Sequence, residues 1–272
     1  MKQSDLITLP SRWIAFILFI AFGFMISSCG DDEEIMDDPV NPTGNAKEYA
    51  LNSVAVTSIN GVATFTELDD NSTEITLELV GTPDGGVHPA HIHMNTAAES
   101  GGIVLSLTPV DGSSGMSTTI ATNLDDGTPV SYQDFLNIDG YINVHLSADD
   151  LGTIVAQGDI GQNELTGISA EYALDQRAVE GISGTATFAE RKNGEALATI
   201  MLSGTPDGGE HPAHIHFNSA AEGGGIAFTF NPVNGTTGMS RTNVSSLNDG
   251  TAFTYSNIAD FDGYINVHLS AD

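Results

Sequence analysis

The chain has 272 residues, 40% of them apolar, and carries 36 Asp plus Glu against 7 Lys plus Arg, a formal net charge of −29. Such an acidic surface repels phosphate backbones and anionic headgroups, which excludes nucleic acid as a partner. A single cysteine excludes a disulfide framework and any metal site built on several thiolates.

The first residues read as an export signal. Lys2 and Arg12 precede an apolar run from Trp13 to Ile26, and small residues Ser27-Ser28 lead to Cys29. The run is short for a membrane span. Ile26-Ser27-Ser28-Cys29 resembles the bacterial lipobox, in which the Cys becomes the lipidated first residue of the mature protein. The expectation is therefore a lipoprotein signal peptide over 1–28 and lipidation at Cys29. The membrane is then a partner through that lipid, and the expected location is the bacterial cell envelope, as an outer-membrane lipoprotein.

Residues 29–46 follow as an acidic tether. Asp31-Asp32-Glu33-Glu34 and Asp37-Asp38-Pro39 lead into Asn41-Pro42-Thr43-Gly44-Asn45, too polar to repay the entropy of ordering. Acidic residues behind a lipidated Cys are also similar to surface-export signals of some lipoproteins, and a plain solvated linker fits them equally well.

Beyond the tether the sequence repeats itself. Glu48-Tyr49-Ala50-Leu51 returns as Glu171-Tyr172-Ala173-Leu174, and the register holds without a gap to Ser147-Ala148-Asp149 and Ser270-Ala271-Asp272. Each repeat is domain-sized, so two domains are expected, over 47–165 and 170–272. Within the first, Ile75, Leu77 and Leu79 alternate with Thr76 and Glu78, as do Ile103, Leu105 and Leu107 with Val104 and Ser106, and Ile142, Val144 and Leu146 with Asn143 and His145. Turn signals such as Pro83-Asp84-Gly85-Gly86 and Asp139-Gly140 punctuate them. Only Ser131–Asn137 has a helical character. The pattern predicts an all-β fold, two antiparallel sandwiches or barrels with Greek-key connections. Repeat 1 continues past Asp149 with Leu151-Gly152-Thr153-Ile154-Val155-Ala156, a final strand for which repeat 2 has no counterpart in the sequence. The second domain is expected to lack its last strand, as a truncated domain would.

All eight histidines fall in two phrases, each present twice: His88-Pro89-Ala90-His91-Ile92-His93 with His211-Pro212-Ala213-His214-Ile215-His216, and Tyr141-Ile142-Asn143-Val144-His145 with Tyr264-Ile265-Asn266-Val267-His268. In an extended segment His91 and His93 share a face while Ile92 points away, and Tyr141, Asn143 and His145 share another. If the two strands are neighbours, His91, His93 and His145 converge, with His88 reaching in from the strand entrance. The second copy gathers His211, His214, His216 and His268 in the same way. Neutral imidazoles without thiolate suit copper or zinc. The same His, Asn and Tyr residues also suit a purely structural network that satisfies buried loop groups.

The HxH strand followed by Tyr-Ile-Asn-Val-His and a Gly-led strand resembles the CHRD domain, a module named after chordin and also found in bacterial exported proteins. The resemblance covers roughly 48–161 and 171–272. The closing stretch Gly152–Gly158 departs from the family, lacking its usual acid and Arg. The resemblance implies an immunoglobulin-like β-sandwich distantly similar to copper–zinc superoxide dismutase, and no settled activity. Three functions are therefore compatible: a lipid-anchored metal-binding module, a non-catalytic surface module with a protein or glycan partner, and a copper superoxide dismutase-like enzyme. Against the enzyme stand a missing zinc set, the absence of a disulfide, and no Arg placed to draw an anionic substrate to the metal. No catalytic residue is assigned.

Overall fold

The computed structural model describes residues 39–270. The expected signal peptide, Cys29 and most of the acidic tether lie outside them. Among the described residues the fold is all-β apart from two short helices.

The first half contributes β1 (Pro42–Ser53), β2 (Asn60–Leu68), β3 (Thr73–Val80), β4 (Val87–Met94), β5 (Ile103–Asp111), β6 (Met116–Ala121), α1 (Tyr132–Asn137), β7 (Asp139–Ser147) and β8 (Asp150–Gly161). These strands form a closed barrel in the order β1-β2-β3-β6-β5-β4-β7-β8. The all-β expectation holds, and of the sandwich or barrel that the pattern allowed the first half forms a closed, barrel-like sheet. A sandwich leaves two sheets unjoined, whereas β8 pairs with β7 along its length and also with β1 through Asn52–Gln157 and Ser53–Ala156. That second ladder removes the sheet edges. Gly158 permits the close approach, because a Cβ there would lie 2.1 Å from the Ala50 carbonyl oxygen.

Alternation along the strands fills the barrel. Ile75 and Leu77 on β3, Ile92 on β4, Ile142 and Val144 on β7, and Ile160 on β8 are all essentially buried around Phe65 and Phe135. Phe135 comes from α1, whose start is set by a capping box: the Asp134 amide donates to Ser131 Oγ while the Ser131 amide donates to Asp134 Oδ2 at 2.9 Å. Strand β1 begins at Pro42, where a tether was expected, since Pro42 to Leu51 pairs along β2 and gives those polar residues ladder partners.

The second half contributes β9 (Leu165–Leu174), β10 (Ser183–Arg191), β11 (Ala196–Ser203), β12 (Glu210–His211), β13 (Ala213–Phe217), β14 (Ile226–Thr229), β15 (Val233–Asn234), β16 (Met239–Val244), α2 (Tyr255–Ile258) and β17 (Gly263–Val267). Its first strand starts at Leu165, shortly after β8. Its strands form a six-stranded sheet, β12-β15-β16-β11-β10-β9, and a three-stranded sheet, β14-β13-β17. Among the described residues β9 pairs only with β10, and β17 only with β13. Between them runs a groove of about 530 Å³, lined by Tyr172, Phe188, Ile215, Phe253 and Ile265 among others. It occupies the place that β8 holds in the first barrel.

Arg191 joins the halves. It is 1% exposed; its Nη1 donates to Asp159 Oδ2 on β8 at 2.7 Å and to the Asn163 carbonyl at 2.6 Å, and its Nε donates to Asn243 Oδ1 on β16 at 2.9 Å. Glu164 between the repeats accepts from Lys47 and Lys192.

Candidate metal centre

Strands β4 and β7 are ladder neighbours, pairing His91 with Asn143 and His93 with Tyr141. Directly opposed residues of an antiparallel pair project to the same side. His91, His93 and His145 therefore share the outer face, while Ile92, Ile142 and Val144 enter the core. One ring nitrogen from each of the three lies within 4.8 Å of the others. The ring centroids are 5.0 Å apart for His91–His145, 5.9 Å for His91–His93 and 6.4 Å for His93–His145.

Backbone carbonyls orient two of the rings. His93 Nδ1 donates to the Gly101 carbonyl at 2.9 Å, and His145 Nδ1 donates to the Leu151 carbonyl at 2.7 Å. Each ring then presents Nε2 as a lone-pair acceptor toward the shared space, the arrangement by which outer carbonyls fix the tautomer of metal-ligating histidines. His93 Nε2 is buried without a hydrogen-bond partner. His145 Nε2 faces His91 Nδ1 at 3.1 Å, so the His91 proton occupies the position a cation would take. Tyr141 stacks on His93 at 5.0 Å and 19°, and its hydroxyl accepts from the Gly101 amide. The loop carrying Gly101 thus holds both members of the pair.

The environment favours neutral imidazole. His91 is held below its ordinary value of 6.5 by burial, then by the neighbouring His145 and His93, with Asp125 opposing. His145 is lowered by burial, which outweighs its bond to the Leu151 carbonyl. Deprotonated imidazoles are the form that binds a metal.

The second half repeats the geometry. His214, His216 and His268 bring their nitrogens within 4.8 Å of one another, with centroids at 5.8 Å for His214–His216 and 5.3 Å for His214–His268. His216 Nδ1 donates to the Gly224 carbonyl at 3.0 Å, and Tyr264 stacks on His216 at 5.0 Å and 15°. His214 Nδ1 and His216 Nε2 have no partner. Burial and the two neighbouring imidazoles lower His214 as well. The difference lies at the third ligand, since His145 is buried and His268 exposed.

His88 and His211, counted among the ligand candidates, stand apart from both triads. His88 shares a face with Ala90 and Ile92 and is buried on the core side. Its Nδ1 donates to the His145 carbonyl at 3.2 Å, and His211 Nδ1 to the Leu269 carbonyl at 2.9 Å. Gly86 makes room for the ring, since a Cβ there would meet His88 Nε2 at 2.7 Å. These two histidines tie strand ends together, and in each repeat three of the four candidate histidines converge.

Several features of the site left little trace in the sequence. The Gly101 and Leu151 carbonyls act through main chain, which no residue type announces. Asp125 approaches because both its carboxylate oxygens accept from the amide of Ser106, the ladder partner of His91.

No curated protein and no solved structure matches the chain. The CHRD domain family model matches residues 45–157, which span all of the first triad and most of the barrel. Residues 45–157 are a CHRD domain.

Proposed function

We propose that this is an exported, lipid-anchored protein that binds one transition-metal ion, copper or zinc, at the His triad of each repeat. The observation that carries the reading is the first triad itself: three nitrogens within 4.8 Å, two of them directed by carbonyl-bonded Nδ1 atoms, in surroundings that favour neutral rings. Three neutral imidazoles with a further position open to water suit Zn(II) and Cu(II). The buried Nε2 atoms of His88 and His211 also lack partners among the described residues, but only His93 Nε2, His214 Nδ1 and His216 Nε2 do so within a converging triad. The acidic chain raises the local concentration of cations.

The test is metal content after loading the full chain with copper or zinc and removing excess. Two ions per chain are expected. One is expected after His91→Ala with His93→Ala, one after His214→Ala with His216→Ala, and none with all four. Metal-free protein throughout would reject the reading. The lipid anchor is tested by mass analysis of the mature N-terminus, where a diacylglyceryl adduct on Cys29 is expected.

A second reading, the copper superoxide dismutase-like enzyme, draws support from strand order. Three hairpin-linked strands, β4, β5 and β6, lie between β3 and β7, an arrangement consistent with Greek-key connections. Superoxide turnover by copper-loaded protein, lost with His91→Ala, would favour it.

A further inference from the structure

The two triads are nearly superimposable in chemistry, which makes the remaining differences informative. Gly101 and Gly224 supply the same carbonyl, Tyr141 and Tyr264 the same stack, and Ser106 and Thr229 the same ladder position beside the first histidine. Next to that ladder position a single charge differs. In the first repeat, Asp125 takes the Ser106 amide on both oxygens at 3.0 Å and the Ser106 hydroxyl on Oδ2 at 2.8 Å. In the second, Asn248 does the same work as a neutral amide: Oδ1 accepts from the Thr229 amide at 3.2 Å and Nδ2 donates to Thr229 Oγ1 at 3.0 Å. The backbone is the same too, with Asp125 N donating to the Val104 carbonyl and Asn248 N to the Ala227 carbonyl.

Ser106 points to the same exposed side as His91, because ladder partners share a face and Leu105 and Leu107 fill the other. The carboxylate of Asp125 therefore lies on the histidine side of the sheet, close enough to oppose the lowering of His91. The following acids, Asp126 and Asp249, are matched between repeats, and each accepts from the amide of the Thr two residues on, Thr128 and Thr251. They do not distinguish the sites.

We infer that Asp125 makes the first triad the tighter site for a divalent cation, and that Asn248 leaves the second as the weaker, exchanging site. The inference rests on the metal reading above. A fixed negative charge beside the ligands stabilises a doubly charged ion directly, and an isosteric amide does not. Burial acts in the same direction, since His145 is shielded and His268 is exposed. The tandem protein then combines a holding site with a site that gives metal up, the division of labour a buffer or delivery protein needs. Because Asp125 is itself exposed, the effect is screened by salt.

The test uses zinc ion alone, with the full chain and a competing chelator at low and high ionic strength. His214→Ala with His216→Ala isolates the first site, and His91→Ala with His93→Ala isolates the second. At low salt the first is expected to bind roughly three- to tenfold more tightly. Adding Asp125→Asn to the first background should weaken it by roughly threefold, and adding Asn248→Asp to the second should strengthen it by a similar factor. Both changes should shrink at high salt. Each exchange installs the side chain the other repeat already accommodates, so folding is preserved. Equal affinities, or no response to either exchange, would overturn the assignment while leaving metal binding intact. No zinc at either site would instead reject the metal reading itself.

Discussion

At the scale of single residues, protons and the proposed metal ion would compete for the same nitrogens. His91 and His145 titrate below 6.5 in the folded protein, so the native state binds fewer protons than the unfolded chain just under that pH. Stability from these groups is complete above the unfolded value and falls as pH drops through it toward the lower folded values. Acid unfolding of the metal-free chain should therefore begin below about pH 6.5, with the loss blunted in His91→Ala; an unchanged pH profile in that variant would contradict it. Carboxylates such as Asp111, Asp126 and Asp134, lowered by bonds to backbone amides and hydroxyls, act in a separate and more acidic window. His88 gives a contrasting prediction. His88→Gln should leave zinc binding at the first triad intact and cost about 1–2 kcal/mol in denaturant unfolding, because only a buried strand-end hydrogen bond is disturbed. The triads were legible because period two assigns His91 and His93 to one face. The same arithmetic places His88, an odd number of positions away, on the other; Pro89 obscured that strand continuity.

At the scale of elements, alternation in β3 and β7 foretold which side chains enter the core, and the short helical stretch at 131–137 appears as α1. Barrel closure was not legible. Whether β8 pairs with one neighbour or two depends on curvature and on a long-range approach at Gly158 and Ala50, neither of which is a local pattern. The place of Asp125 beside the triad has no local signature, since its partner Ser106 lies on β5, well before it in the chain. The groove between β9 and β17 gives closure a direct test. Appending the sequence of residues 150–161 after Asp272 should fill the groove, give β17 a second ladder and raise the melting temperature by about 5 °C. No change on adding that strand would show that the groove does not accept it. Ser131→Ala, which removes the cap of α1, should cost about 1 kcal/mol.

At the scale of the whole molecule, Arg191 is a buried cation that links the two repeats. Its position corresponds to Leu68 in the first repeat, so duplication alone does not explain it. Arg191→Met should destabilise the chain by about 3–5 kcal/mol, since Asp159 would stay 9% exposed and lose its cation. Combining it with Asp159→Asn should recover part of the loss, and thermal unfolding of the single and double variants checks both. The sequence hid this contact because a lone Arg in a diverged stretch carries no sign of its partner. Net charge acts at the same scale, raising the concentration of cations around the chain. The most direct measurement at the triads is an anomalous-scattering map from crystals of the zinc-loaded protein. The account predicts a peak about 2.0–2.1 Å from His91 Nδ1, His93 Nε2 and His145 Nε2, with a second at His214, His216 and His268. A map with no peak among these rings, or with zinc held only by surface carboxylates, would contradict it.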